Sequence, residues 1–414
     1  MAERSSSGRI LAMILVGLGA FLLVIGILVP TYTVGKLKKT PLDLEVTTVA
    51  TGTGDILNSR QLLAGNAQVD RDVPIVAQRF VTVEEPSDAE IMTLQAGQSV
   101  RRLDMQGDTG LVSAIIDRLT IDRVSSMPVS AEEYPDRVST IQVNADKPPV
   151  EVDNREGLQY KFPFDVKQES YPYYDINARD TFPIDFVGEE EINGMKVYHF
   201  HQEIGPVDLS KADPEVPTYK LSLPASTWGV GEDDRPVTMT RWYNNIRDLW
   251  VDPITGVVIK GQEQQDQYYA RQADKPEVTV LNVTLPFDEE TIEYQIGQAK
   301  DGQDQLSLFG RTLPIVAGIL GLILLIAGFV LGSRGGGDNR RPATAAGGPA
   351  PSGPATTTVG TAGAAGTRRD YTDDRTEVIP RTETDPNAQQ RDWTTDATQE
   401  IPKTDLRKPP PNQQ

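Results

Sequence analysis

Two stretches of the chain carry no charged side chain at all. Residues 10–29 form an unbroken apolar run, and residues 313–332 form a second, interrupted only by Pro314. Twenty helical residues at 1.5 Å each span about 30 Å, the thickness of a bilayer core. Such runs predict two membrane helices rather than core helices of a soluble domain. The first is longer than a usual signal-peptide core and runs straight into Val29-Pro30-Thr31-Tyr32 with no small-residue cleavage site, so it reads as a retained anchor. Gly328-x-x-x-Gly332 and Ala317-x-x-x-Gly321 in the second run, with Gly17, Gly19 and Gly26 in the first, offer small residues for close helix packing.

Between the runs the pattern changes to alternation. Residues 186–191 and 195–204 flank Asn193-Gly194, the strongest short hairpin signal. Residues 249–251 and 257–259 flank Asp252-Pro253-Ile254-Thr255-Gly256, a second hairpin with a longer loop. Residues 44–46, 237–240 and 278–285 also read as strands. Helical spacing is scarce: residues 111–119, capped by Asp108 or Thr109, suggest one short helix, and residues 61–68 a poorer one. The expected fold is mainly β with minor α: an elongated, antiparallel, barrel-like domain between two transmembrane helices, in one unit or two with a boundary near residues 148–154.

Charge sorts by region. The chain has 40 Lys+Arg, 59 Asp+Glu and a net charge of −19. About −20 lies in residues 30–312, about 0 in the tail and +1 before the first helix. This excludes a nucleic-acid binder, which needs a basic footprint. Arg334, Arg340 and Arg341 place the tail inside, and Lys36, Lys38 and Lys39 are outweighed because long domains translocate regardless of charge. The expected layout is a cytoplasmic N-terminus (1–9), transmembrane helix (10–29), extracytoplasmic β-rich domain (30–312), transmembrane helix (313–332) and disordered cytoplasmic tail (333–414) in the plasma membrane.

Candidate chemistry is sparse. Zero Cys removes thiolate catalysis, disulfides and Cys-ligated metals. His199 and His201, the only histidines, share a strand face and read as ordinary strand positions. P-loop, dinucleotide and nucleophile-elbow motifs are missing. No catalytic residue, metal or cofactor is expected. Tyr160, Phe162, Phe164, Tyr171, Tyr173, Tyr174, Phe182 and Phe186 crowd one segment interleaved with Pro163, Pro172 and Pro183. Proline at that density argues against an ordinary central strand. The segment reads either as the aromatic mouth of an apolar site or as a loop pinned down by its own rings. Trp242 and Trp250 are further candidate ligand contacts.

The tail begins with a Gly/Ala/Pro/Thr stretch that cannot offset its ordering entropy. It ends in two copies of Thr-x-x-Ile-Pro-basic-Thr, from Thr376 and Thr398. Phosphate on either threonine would suit a forkhead-associated domain, with a Ser/Thr kinase as the writer.

Several segments together resemble the actinobacterial porin PorA family of two-helix envelope proteins. They are Thr40-Pro41-Leu42-Asp43 and Arg155-Glu156-Gly157-Leu158-Gln159-Tyr160-Lys161-Phe162-Pro163. With them go Tyr171-Pro172-Tyr173-Tyr174-Asp175, Gly194-x-x-Val197-Tyr198-x-Phe200 and Val251-Asp252-Pro253-x-Thr255-Gly256. Tyr174 stands where the pattern would have Trp. The resemblance covers roughly residues 8–335 and includes LmcA-like proteins tied to lipomannan and lipoarabinomannan maturation. It implies a barrel-like exterior domain with internal cavities that handles a lipid or lipid-linked glycan. The two-helix layout is also similar in architecture to class B scavenger receptors, which pass lipid through a tunnel. A non-catalytic scaffold for envelope enzymes, a pore and an envelope hydrolase are the alternatives.

Overall fold

The computed structural model describes residues 3–153 and 155–334. Thr376, Thr398 and the rest of the tail after residue 334, whose disorder the sequence suggested, lie outside the described residues. The apolar runs are helices α1 (Glu3–Leu37) and α6 (Leu313–Arg334). Both exceed the expected spans. Helix α1 passes through Pro30, and α6 is continued backwards by a π-helical turn (Leu308–Thr312) and by α5 (Glu289–Ser307). Both are long and apolar enough to cross a membrane.

The two apolar helices pack antiparallel along glycines. A Cβ on Gly19 would lie 2.7 Å from the Gly321 carbonyl, and one on Gly328 would lie 3.0 Å from the Ala12 carbonyl. Gly26 faces Pro314 at 3.2 Å. Ala12, Gly19 and Gly26 recur every seventh residue, as do Pro314, Gly321 and Gly328. A seven-residue repeat keeps one seam in contact between left-handedly crossing helices. Gly17 meets nothing.

Between the helices lies one sheet of 13 strands, every neighbouring pair antiparallel. Its long strands are β1 (Glu45–Leu57), β2 (Val69–Glu84), β3 (Ile91–Arg102) and β4 (Leu111–Asp122) on one side. On the other are β8 (Asp180–Ile192), β9 (Met195–Asp208), β11 (Pro236–Val251), β12 (Val258–Ala270) and β13 (Val278–Pro286). Short strands β5 (Ser139–Gln142), β6 (Val150–Glu151), β7 (Tyr171–Asp175) and β10 (Lys220–Pro224) complete it. The order is β6-β5-β4-β3-β2-β1-β13-β12-β11-β9-β8-β7, with β10 beside β11. The edge strands β6 and β7 do not pair, so the sheet is open, and since strands of both halves line one interior it is curled into a barrel-like roll.

The Asn193-Gly194 hairpin forms as expected, with φ 48° and 79°, both positive as a two-residue primed turn requires. The Asp252–Gly256 loop joins β11 and β12. Residues 111–119, read as a helix, are strand β4 instead. Pairing on both sides, with β3 along its length and with β5 at residues 116–119, overrides the local spacing. The weaker helix survives as one turn, α2 (Ser59–Leu63), capped by Asn58, and two further single turns, α3 (Leu209–Ala212) and α4 (Ala225–Trp228), flank β10. No division occurs near residue 150; the described residues form one unit.

The helix pair meets the sheet at a neck. Thr40 exchanges bonds with Arg123, its N–H donating to the Arg123 carbonyl at 2.9 Å while Arg123 Nε donates to the Thr40 carbonyl at 2.9 Å. Lys39 Nζ donates to the Ala89 carbonyl at 2.6 Å, and Lys38 pairs with Asp165. On the other helix, Gln303 Nε2 donates to Asp252 at 2.7 Å. The β2–β3, β11–β12 and post-β4 loops therefore lie at the helix end of the roll.

Candidate ligand cavity

An open sheet that curls needs something across its gap. Here residues 155–166 act as a strap. Arg155 reaches β4, donating to both oxygens of fully buried Asp117 at 2.6 Å. Leu158 bridges to Tyr173 on β7. Phe162, Asp165 and Val166 donate backbone N–H groups to the carbonyls of Gly256, Ile254 and Pro253, at 2.8–3.0 Å. A Cβ on Gly256 would lie 2.1 Å from the Phe162 carbonyl, so only glycine lets the strap sit so close.

Beneath the strap is a cavity of about 360 Å³, within the roughly 300–1,000 Å³ range of ligand pockets. Strand alternation builds its walls. Val46, Thr48 and Ala50 of β1, Ala77, Arg79 and Val81 of β2, and Leu94, Gln98 and Val100 of β3 line one side. Arg247 and Leu249 of β11 and Gly261, Glu263 and Gln265 of β12 line the other. The mouth is at the neck, between Leu37 at the end of α1, Lys39 and Pro41 just after it, Lys161 and Phe164 of the strap, and Asp301 and Gln305 of α5. Leu44, Val81, Leu94, Ile121, Leu249, Val257 and Phe287 make much of the interior apolar.

Further in, the walls turn polar. Arg247 Nε donates to Glu263 at 3.1 Å, Nη2 to Asp175 at 2.8 Å, and Nη1 to Gln202 at 2.5 Å. Tyr243 also donates to Asp175, at 3.0 Å. Burial alone would raise the Glu263 pKa, but Arg247 and Arg79 hold it down to about 2. Burial likewise opposes the charge on Arg247, and Glu263 and Asp175 override it, raising its pKa. Across the cavity Arg79 Nη2 donates to its cross-strand partner Gln98 at 3.2 Å. At the mouth, burial pulls Lys161 down to about 7 while its Nζ sits 4.0 Å over the Phe164 ring.

The structure scatters the aromatic candidates. Tyr160, Phe164 and Tyr173 line the cavity. Tyr174 stacks on Arg155 and edges a smaller void of about 20 Å³ beside it. Phe162 and Tyr171 are buried with Phe200 in the core under the strap. Phe182 packs beside Tyr243 and Leu209. Trp242 donates to the Ala270 carbonyl at 3.3 Å and is not among the lining residues. Trp250 stacks on His199 and packs against α5. His199 and His201 both bond Asp248, at 2.8 and 2.9 Å.

Residue-by-residue reading missed the polar wall: Arg79, Gln98, Arg247 and Glu263. One signal was present. Residues 261–267 read Gly-Gln-Glu-Gln-Gln-Asp-Gln, a strand without an apolar face. Such a strand in a buried sheet has to meet a polar interior.

The family model described as Porin PorA matches residues 11–330. A Corynebacterium resistens protein named Porin PorA is 34% identical over 400 aligned positions, covering 78% of this chain and 96% of the relative. A Corynebacterium amycolatum protein of the same name is 33% identical over 391 positions, covering 79% and 99%.

Proposed function

We propose, for a chain that belongs to the Porin PorA family, that the β-domain holds a lipid or lipid-linked glycan in its cavity and passes it on during envelope lipoglycan assembly. The family and the two apolar helices make it a membrane protein of the cell envelope. In this reading α1 and α6 cross the plasma membrane with both termini cytoplasmic and the acidic roll outside. The carrying observation is the position of the mouth. It opens at the neck where both helices enter the roll, so an amphiphile leaving the bilayer meets it first. Tyr32 and Lys36, in cation–π contact at 4.6 Å, then sit at interface depth. The reading is non-catalytic. The Thr376 and Thr398 repeats would recruit a phosphate-reading partner from the cytoplasm, and mass spectrometry of the native tail without phosphothreonine would sink that part.

The name of the relatives favours a second reading, a pore. It would need a water path through the molecule. A membrane-spanning barrel also needs an apolar outer band, which a domain charged near −20 argues against.

Full-length protein extracted from its own host in mild detergent and examined by native mass spectrometry tests the first reading. A co-purifying lipid near one per chain is expected. A chain that stays empty after incubation with envelope lipids would overturn it and favour a scaffold. Conductance steps in planar bilayers would favour the pore.

A further inference from the structure

We propose that the cavity takes its ligand head first: an uncharged head rich in acceptor oxygens seats against Arg79 and Gln98, and its chains run back to the mouth at the neck. The proposal rests on the lipid-binding reading above.

The cavity is amphiphilic along its length. Measured along the strands, Arg79 lies five residues above the neck end of β2 and Gln98 seven above the neck end of β3. At about 3.3 Å per residue that is roughly 16–23 Å from the neck. Val81, Leu94 and Leu249 lie on the neck side of this polar wall, and beyond it the lining of β2 and β3 includes Ala77 and Val100. A ligand with its chains inward would place hydrocarbon against two guanidiniums and its head among Leu37, Leu44 and Phe164.

The polar end is also incomplete in one direction. The single bond from Arg79 to Gln98 engages the amide oxygen of Gln98 and leaves its Nε2 free. Arg79 Nε and Gln98 Nε2 are both shielded from solvent, and neither has a partner among the described residues. An unmatched buried donor is costly to keep. Two unmet donors on side chains that line the same cavity call for an oxygen acceptor.

Charge narrows the class. Arg79 and Arg247 face Glu263 and Asp175, so the polar end is already balanced. A phosphate there would add a buried, uncompensated charge. Hydroxyl, ether or ester oxygens would complete the donors without that cost. At about 360 Å³ the cavity encloses a head and the start of its chains, leaving the chain ends at the neck.

Full-length protein in nanodiscs would be photolabelled with two monoglucosyl-diacylglycerol probes, one carrying a diazirine on the sugar and one at a chain end. A phosphatidic acid of the same chains would compete. The sugar probe is expected to label residues near 79 and 98, and the chain-end probe residues near 37–41 and 164. Phosphatidic acid should compete at least tenfold less well than unlabelled glucolipid. Gln98→Leu, close in volume, should remove that preference while chain-end labelling persists. Chain-end labelling near 79 and 98 would leave the lipid reading standing and overturn the head-first one. An unchanged preference in Gln98→Leu, or none in the wild type, would mean that the donors serve only trapped water, and would overturn it too. No specific labelling by either probe would remove both readings.

Discussion

Arg155 and Arg247 each enter the interior of the roll and meet a fully buried aspartate, Asp117 for the first and Asp175 for the second. The surroundings then diverge. Asp117 also accepts from Gln159 Nε2, at 3.1 Å, and from the Tyr160 hydroxyl, so its acceptor positions are filled by the strap itself. Arg247 divides its donors among Asp175, Glu263 and Gln202, and the cluster continues across the cavity to Arg79, which keeps an unmatched donor. Desolvating two charges is costly, so a buried pair persists where its remaining valences are met. In the first cluster the strap fills the carboxylate, leaving only Arg155 Nε unmatched among the described residues, and the strap is tied to β4. In the second a cavity adjoins, and part of the valence is left for whatever enters.

Asp117→Ala should have the largest effect on stability. It strands a buried guanidinium, a loss of about 3–5 kcal/mol, and it frees the strap where it meets β4. Denaturant unfolding of the full-length protein in detergent would measure it. Asp117→Leu combined with Arg155→Met removes both charges and should be less destabilising than Asp117→Ala alone. If the double variant were worse, the pair would matter for more than charge compensation.

The contrast also explains what could be read in advance. The helices, the Asn193-Gly194 turn and the strands at 237–240 and 278–285 follow from local pattern, because length, turn chemistry and β-branching act within a few residues. Residues 111–119 misled because their local spacing is overruled by β3 and β5, which the chain reaches only through distant pairing. The aromatic segment 160–186 was visible as a special region. Its division between core and cavity was not, since Phe162 and Phe164 differ only in which side of the strap they leave. Arg79 and Glu263 are 184 residues apart in the sequence and share a wall only once the sheet has curled. The seven-residue glycine spacing was legible, whereas attention to four-residue spacing picked out Gly332, which makes only ordinary contact.

A pH experiment separates the clusters next. Glu263 titrates at about 2 in the fold against an ordinary value of 4.5. Its folded pKa is depressed, so its contribution is fully present above pH 4.5 and is lost as pH falls through about 2. The difference corresponds to about 3 kcal/mol. Glu263→Gln should therefore be less stable at neutral pH and should lose less stability than the wild type between pH 4.5 and 2. It also leaves Arg79 and Arg247 with one carboxylate fewer, so competition by phosphatidic acid should strengthen. Parallel acid-unfolding curves for wild type and variant would argue that Glu263 is not held by the arginines.

The smallest effects come from a pair of hydroxyl deletions on neighbouring tyrosines. Tyr160 donates to Asp117 and accepts from Gln159 at 3.0 Å, and burial with the nearby Asp117 charge raises its pKa well above 10. Removing that hydroxyl takes a donor from a buried carboxylate, a loss of about 1.5–3 kcal/mol. Tyr174 is buried and its enclosure pushes its pKa up to about 12, yet its hydroxyl has no partner among the described residues. Its ring stacks on Arg155, with the guanidinium carbon 4.4 Å from the centroid, and phenylalanine keeps that contact. Tyr174→Phe should therefore not destabilise, and removing an unmatched buried hydroxyl should gain about 1 kcal/mol. Tyr174 edges the small void shared with Arg79 and Gln98. Any change in glucolipid affinity without loss of stability would thus extend the ligand-facing cluster by one residue. A Tyr174→Phe variant as unstable as Tyr160→Phe would instead place Tyr174 inside the lock that closes the seam.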